Sequence, residues 1–225
     1  MQQLLLNLLP DPTPSLRHFL PGDNTELLEA LQAWLDVPVT YPGNLFVVWG
    51  AEGVGKSFLT RCLVEQGLTP LPLSQQLLPP AKSGWLLDDA QKLDTAGQQD
   101  LFRHLIRLAQ TNERLFVTMD AAPDMQRTLR EDVRTRLGAG HIYRLMPLDE
   151  AQQRTLLAQR ASQRGWQLTT EVLDTLYQRA PRDLSSLTRL IERLDQLSLE
   201  QKRRITLPLL RTALSETNSL AEQTR

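Results

Sequence analysis

The chain has 225 residues, with 25 basic and 26 acidic side chains and a formal net charge of −1. A hydrophobic fraction of 41% is enough for a packed core, and the length suits one large domain or one with a small companion. Near-neutral charge excludes a protein that holds nucleic acid mainly through a basic surface. The average hides a split. Residues 1–99 hold 5 basic and 10 acidic groups, a net of −5, and residues 100–225 hold 20 and 16, a net of +4. Arginine dominates the second half, and arginine suits fixed recognition of carboxylate or phosphate better than lysine does. The single cysteine, Cys62, excludes an internal disulfide framework and a Cys-rich zinc site. No apolar run reaches the roughly 18 residues of a membrane span, and the start, MQQLLLNLL, lacks the basic region of a signal peptide. These features predict a cytoplasmic protein without a membrane partner.

In chain order, Pro10, Pro12, Pro14 and Pro21 predict an irregular arm over residues 1–22. Asp23 or Asn24 can cap a helix from about Thr25 to Leu35, with Leu27, Leu28, Leu31 and Trp34 on one face. Leu45–Trp49 is a continuous apolar run between Gly43 and Gly50, the pattern of a buried parallel strand. A helix follows over Lys56–Gln66, with a weak strand near Leu71–Leu73 and a loop over Gln75–Ser83. Further strands are expected at Trp85–Leu87, Leu115–Met119 and Ile142–Leu145. Helices are expected at Gln98–Gln110 and, for the most part, Met125–Leu137. Beyond Pro147 only helices are expected: Asp149–Arg164, Thr170–Gln178, Asp183–Leu197 and Leu207–Ser215. The expected fold class is α/β: a parallel sheet flanked by helices (residues 23–146), then a small helical lid (147–217) and a tail (218–225).

Gly50-Ala-Glu-Gly-Val-Gly55-Lys56-Ser57 fits G-x-x-x-x-G-K-[ST] at every fixed position, with an apolar strand before it and a helix after it. Glycines let backbone N–H groups surround phosphates, and the helix N-terminus favours anions. The nucleotide-binding set is therefore Gly50, Gly53, Val54, Gly55, Lys56, Ser57 and the adjoining Phe58. Lys56 is expected on the β- and γ-phosphates and Ser57 on Mg²⁺. Asp88-Asp89 end the next strong strand, where an acidic residue can hold the metal's water shell. Asp88 is the metal candidate, and Asp89 is placed to position an attacking water. The alternative role for this pair is to cap a helix. Asp120 ends the third strand, where it can either sense the γ-phosphate or cap the turn in DAAPD.

The order of phosphate loop, hhDD strand, strand ending in Asp, R-x-R-L segment and helical lid containing Arg182 resembles an AAA+ ATPase of the DnaA branch. Within that branch it resembles the Hda family, the regulatory inactivators of DnaA. The resemblance runs from Gln3 to about Leu214 through Phe19-Leu-Pro-Gly-Asp-Asn24, the phosphate loop, Arg134-Thr-Arg136-Leu137, His141-Ile-Tyr-Arg-Leu145 and Arg204-Ile-Thr-Leu-Pro208. It implies an arginine finger at Arg136, or at neighbouring Arg134, acting in trans on nucleotide bound by another subunit. It implies a sensor arginine at Arg182 and a grip on the nucleotide base at Pro21, Gly22 and Asn24. The segment Gln3-Leu4-Leu5-Leu6-Asn7-Leu8 resembles the Q-L-x-L-x-L peptide of the family, which docks on the sliding clamp of the replicative polymerase. Gln3, Leu4, Leu6 and Leu8 would carry that contact. The implied cofactors are ADP or ATP with Mg²⁺, and the implied partners are DnaA and the β sliding clamp. DNA would be reached only through the clamp, and the resemblance leaves monomer or homodimer open. The resemblance leads one to expect no counterpart of DnaA's DNA-reading helix-turn-helix. Only 30 residues separate Ser57 from Asp88, so the second strand and its helix are expected to be truncated. The rival expectation is a self-contained AAA+ ATPase that loads or remodels another replication factor.

Overall fold

The structure is a computed structural model. It describes residues 13–73, 83–163 and 169–179, together with 186, 187, 190, 193, 194, 196–198, 208–210 and 214. The chain divides into two compact units, one spanning Thr13–Pro147 and the other including everything from Leu148 onward.

The first unit is built on five strands: β1 (Leu45–Trp49), β2 (Thr69–Pro70), β3 (Trp85–Leu87), β4 (Leu115–Met119) and β5 (His141–Arg144). Their order across the sheet is β2-β3-β4-β1-β5, and every pair is parallel. Alternate side chains of a strand face opposite sides, and a parallel sheet buries both. Leu45 and Val47 of β1, with Leu115, Val117 and Met119 of β4, pack beneath α3 (Thr95–Leu108) and α4 (Glu131–Leu137). Phe46 and Val48, with Phe116, pack beneath α1 (Thr25–Asp36) and α2 (Lys56–Glu65). Phe46 lies 5.2 Å from the Tyr143 ring and 6.0 Å from the Phe116 ring, both stacked, and 5.4 Å from Trp34. The helix after the phosphate loop and the helix bearing Arg134 and Arg136 therefore lie on opposite faces of the sheet.

Several boundaries differ from expectation. The weak strand forms at Thr69–Pro70, two residues before Leu71–Leu73, because the Thr69 N–H bonds the Gly84 carbonyl at 2.9 Å. Leu71 then turns its side chain into the core. Helix α3 begins at Thr95 rather than Gln98, since the Asp94 carboxylate caps it by accepting from the Gly97 N–H at 2.8 Å. The expected Met125–Leu137 helix is split into a 3-10 turn at Pro123–Met125 and α4 from Glu131, with extended backbone at Gln126. Asn24 stands at the N-cap of α1 without using its side chain there. Its amide instead donates to the carbonyls of Pro21 (2.9 Å) and Met146 (3.0 Å) and accepts from the Met146 N–H (2.6 Å). Trp34 and Trp85 are buried as core. So is Cys62, whose thiol burial pushes up to about 11. Trp166 lies outside the described residues.

In the second unit, Asp149 and Gln152 exchange side-chain and backbone hydrogen bonds of 2.7 and 2.9 Å, a capping box at the start of α5 (Glu150–Gln163). Arg154 joins α5 to α6 (Thr170–Arg179). It pairs with Asp174 at 2.7 Å and with Glu150 at 2.9 Å, and it sits 4.5 Å from the centre of the Tyr177 ring. Burial raises the Tyr177 hydroxyl to about 12. The described residues of the two later predicted helices, at 186–198 and 208–214, are helical.

Asn44 closes the α3–β4 connection. Fully buried, it donates to the carbonyls of Leu108 (3.0 Å), Thr111 (3.3 Å) and Glu113 (2.8 Å). Asn44→Ala strands those acceptors and is expected to cost about 2 kcal/mol in urea unfolding followed by tryptophan fluorescence. Asn44→Asp, which sets a carboxylate against three carbonyls, is expected to cost more.

Candidate functional site

The parallel register brings three strand ends to one edge. Trp49 pairs with Met119 and Leu87 with Val117, so Gly50, Asp88 and Asp120 all leave the sheet on the same side. This is the edge at which open parallel sheets bind ligands.

The phosphate loop follows β1. Gly53 and Gly55 adopt φ of +79° and +111°, a region open to glycine and strained for other residues. A Cβ on Gly50 would lie 2.7 Å from the Leu145 carbonyl, so the backbone just after β5 leaves room there only for glycine. Lys56 is 8% exposed, and its ammonium donates to the carbonyls of Gly50 (2.7 Å) and Ala51 (2.9 Å). A buried ammonium costs free energy unless its donors are used. Two are used here, which holds the charge inside the loop with one donor to spare. Ser57 opens α2 with an exposed side chain. Phe58 packs 6.1 Å from Phe19. Val54 is buried against the α1/α2 side of the core, where Phe19 also packs. Pro21 and Gly22 form the turn before Asn24, with Gly22 at φ +51°.

Sequence reasoning missed the residue that organises the acidic pair. Thr118, fully buried in β4, donates to the Asp88 carboxylate and accepts from the Asp89 N–H at 2.9 Å. The available signal was a lone polar residue inside the apolar run LFVTM. One Asp88 oxygen is thus oriented by Thr118, while the side chain remains exposed at the strand end. Asp89 differs. Its backbone is left-handed (φ 52°), and its two oxygens accept from Lys92 (2.6 Å) and Gln91 (3.0 Å). Burial alone would raise its pKa. The hydrogen bonds from Lys92 and Gln91, with the charges of Lys92 and Lys56, outweigh burial and hold it below the usual value. Asp120 accepts a hydrogen bond from the Gln126 side chain.

The residues at this edge fit a magnesium nucleotide. Mg²⁺ prefers oxygen donors and takes few from the protein when phosphates supply the rest. Ser57 at the start of α2 and Asp88 at the end of β3 are the oxygen donors that would hold it, and Lys56 with the positive-φ glycines would cradle the anion.

The arginines of α4 are two residues apart, about 200° around the helix, so they face different ways. Arg136 lies over the Phe102 ring at 5.2 Å with no carboxylate partner among the described residues. The Nε of Arg134 is buried without a hydrogen-bond partner among the described residues. Arg130 also lies over Phe102, at 5.9 Å, and pairs with Asp132 at 2.6 Å. Gln3, Leu4, Leu6, Leu8 and Arg182 lie outside the described residues.

Residues 149–214 match the family model of the Hda lid domain. Among solved structures, domain III of the DnaA replication initiation protein of Thermotoga maritima aligns over 91% of this chain and 97% of its own. The TM-score is 0.74 at 19% identity. AMPPCP-bound DnaA from Aquifex aeolicus aligns over 83% of this chain and 66% of its own, with a TM-score of 0.64 at 17% identity. The RuvB Holliday junction branch migration motor of Thermotoga maritima aligns over 91% and 72%, with a TM-score of 0.63 at 16% identity. The expected α/β class, a parallel sheet flanked by helices with a helical lid region after it, is the observed fold and is shared with these DnaA and RuvB structures.

Three outcomes test this geometry. Gly55→Ala and Lys56→Ala are each expected to abolish nucleotide binding by fluorescent-ADP titration, the first through backbone strain and the second through lost charge. Thr118→Val keeps the shape of β4 and is expected to weaken Mg²⁺-dependent ADP binding about tenfold, the usual effect of removing a group that orients a ligand. Binding without Mg²⁺ should not change. In acid titration, the stabilising Asp89–Lys92 pair is expected to hold above pH 3.8 and to fade as pH falls through the lowered Asp89 value. Lys92→Ala should therefore be less stable than the native chain at neutral pH and converge with it in strong acid.

Proposed function

We propose that the chain is an Hda-like AAA+ protein of the DnaA branch and a DnaA-related regulator of replication initiation, a reading that its lid match and its fold support. The match of residues 149–214 to the Hda lid domain carries this reading. In it the chain binds ADP or ATP with Mg²⁺ at its own phosphate loop, through Lys56, Ser57 and Asp88. It docks in the cytoplasm on the DNA-loaded sliding clamp through Gln3, Leu4, Leu6 and Leu8. It then presents Arg136 to ATP bound by DnaA, and DNA is met only through the clamp. A guanidinium beside a γ-phosphate offsets the charge that develops during transfer and accelerates hydrolysis by roughly 10³–10⁵. Arg182 would report the chain's own nucleotide to the lid.

The placement of α4 supports action in trans. Arg136 projects from the α3 face, whereas the phosphate-loop helix packs on the other. The sheet separates the arginine from its own loop, and among the described residues no carboxylate holds it back. Asp89 argues against the rival reading, a self-contained ATPase. A general base works best with a pKa near the operating pH, and Asp89 is held low with both oxygens engaged.

The test is DnaA-ATP hydrolysis measured with and without clamp-loaded DNA. Arg136→Ala is expected to lose the stimulation while keeping ADP affinity, and deletion of residues 1–9 to lose its clamp dependence. Undiminished stimulation by Arg136→Ala would remove the finger assignment. Substantial hydrolysis by the isolated chain, insensitive to clamp and DnaA, would favour the self-contained ATPase.

A further inference from the structure

Although α2 and α4 lie on opposite faces of the sheet, a line of side chains joins the end of β4 to the start of α4. The Met119 carbonyl accepts from the Gly50 N–H at 3.1 Å, which sets the next residue, Asp120, beside the phosphate loop. The Asp120 carboxylate accepts from the Gln126 amide. The Gln126 Oε1 accepts from the Thr128 hydroxyl at 3.3 Å, and the Thr128 carbonyl accepts from the Gln98 Nε2 at 3.0 Å. The Gln98 Oε1 accepts from the N–H of Arg130, the N-cap of α4, at 2.9 Å, and its Nε2 also reaches the Leu93 carbonyl at 3.1 Å. Gln98 and Gln126 are 7% and 5% exposed, so neither can exchange its partners freely for water.

Gln98 and Gln126 are the buried members of this line, between exposed Asp120, Thr128 and Arg130, and a broken link at either glutamine leaves a desolvated amide short of a partner. An anionic phosphate arriving at the loop repels the Asp120 carboxylate. If that carboxylate moves, the buried Gln126 amide keeps only the Ala121 carbonyl, at 3.5 Å, and its reorientation passes to Thr128, Gln98 and the N-terminus of α4. We propose that Gln126, Thr128 and Gln98 are positioning residues that couple the nucleotide state of this chain's own phosphate loop to the placement of α4 and so of Arg136. The proposal deepens the regulatory reading above and, in its use of Arg136, rests on it. The coupling itself does not.

The first measurement is amide hydrogen exchange of the full chain loaded with ADP or with AMPPCP. Protection across residues 126–137 is expected to differ between the two states by about fivefold or more, the lower range of measured couplings between sites. Thr128→Val removes one hydroxyl at an exposed position, so the fold should survive with an unchanged Tm, and the difference should vanish. Thr128→Ser should restore it. Gln98→Met, similar in volume, should also erase it, with ADP affinity unchanged. No difference in the native chain, or a native-sized difference in Thr128→Val, would overturn the coupling. In the DnaA assay, Thr128→Val loaded with either nucleotide should stimulate equally, whereas the native chain should not. If Arg136→Ala stimulates fully while exchange remains nucleotide-dependent, the finger assignment fails and the coupling stands.

Discussion

The pairing of β1 with β4, from Leu45 opposite Leu115 to Trp49 opposite Met119, is the constraint on which the rest of this molecule depends. Parallel strands all end on one side, so the phosphate loop after Trp49 and the turn after Met119 emerge together. Pairing of β4 with β3 adds Asp88 to the same edge. A shift of one residue would exchange the two faces of β4 and turn Thr118 away from Asp88. Burial on both faces resists that shift, because Phe46 and Phe116 must meet on one side and Val47 and Val117 on the other.

That edge treats its two adjacent aspartates differently. Asp88 has one oxygen oriented by a buried hydroxyl and its side chain open to the surface. Asp89 is turned by a left-handed backbone into a local pair with Lys92 and Gln91. A carboxylate kept ionised in this way suits electrostatic work better than proton transfer.

Much of the fold was legible in the sequence because it rests on local patterns. Leu45–Trp49, Trp85–Leu87 and Leu115–Met119 are apolar runs between turn residues, and they form strands over those residues. Legibility failed where side chains override local preference. The Met125–Leu137 segment reads as helix, yet the side chains of Gln98 and Gln126 bond across its middle, where the backbone turns instead of coiling. Asn24 reads as a cap, yet its amide is taken by Met146, 122 residues away. The start of α3 moved because Asp94 caps it.

The sequence by itself determined the phosphate loop, because glycines at positive φ, a lysine and a serine at fixed spacing suffice to describe an anion cradle. It also determined that acidic residues end the neighbouring strands. Only the tertiary structure decided what those residues can do. Thr118 meets Asp88 through strand pairing, Lys92 captures Asp89 through a backbone turn, and α4 lands on the face opposite α2. Each of these depends on which strands become neighbours. That choice is made by burial of side chains far apart in the chain, and no local spacing records it.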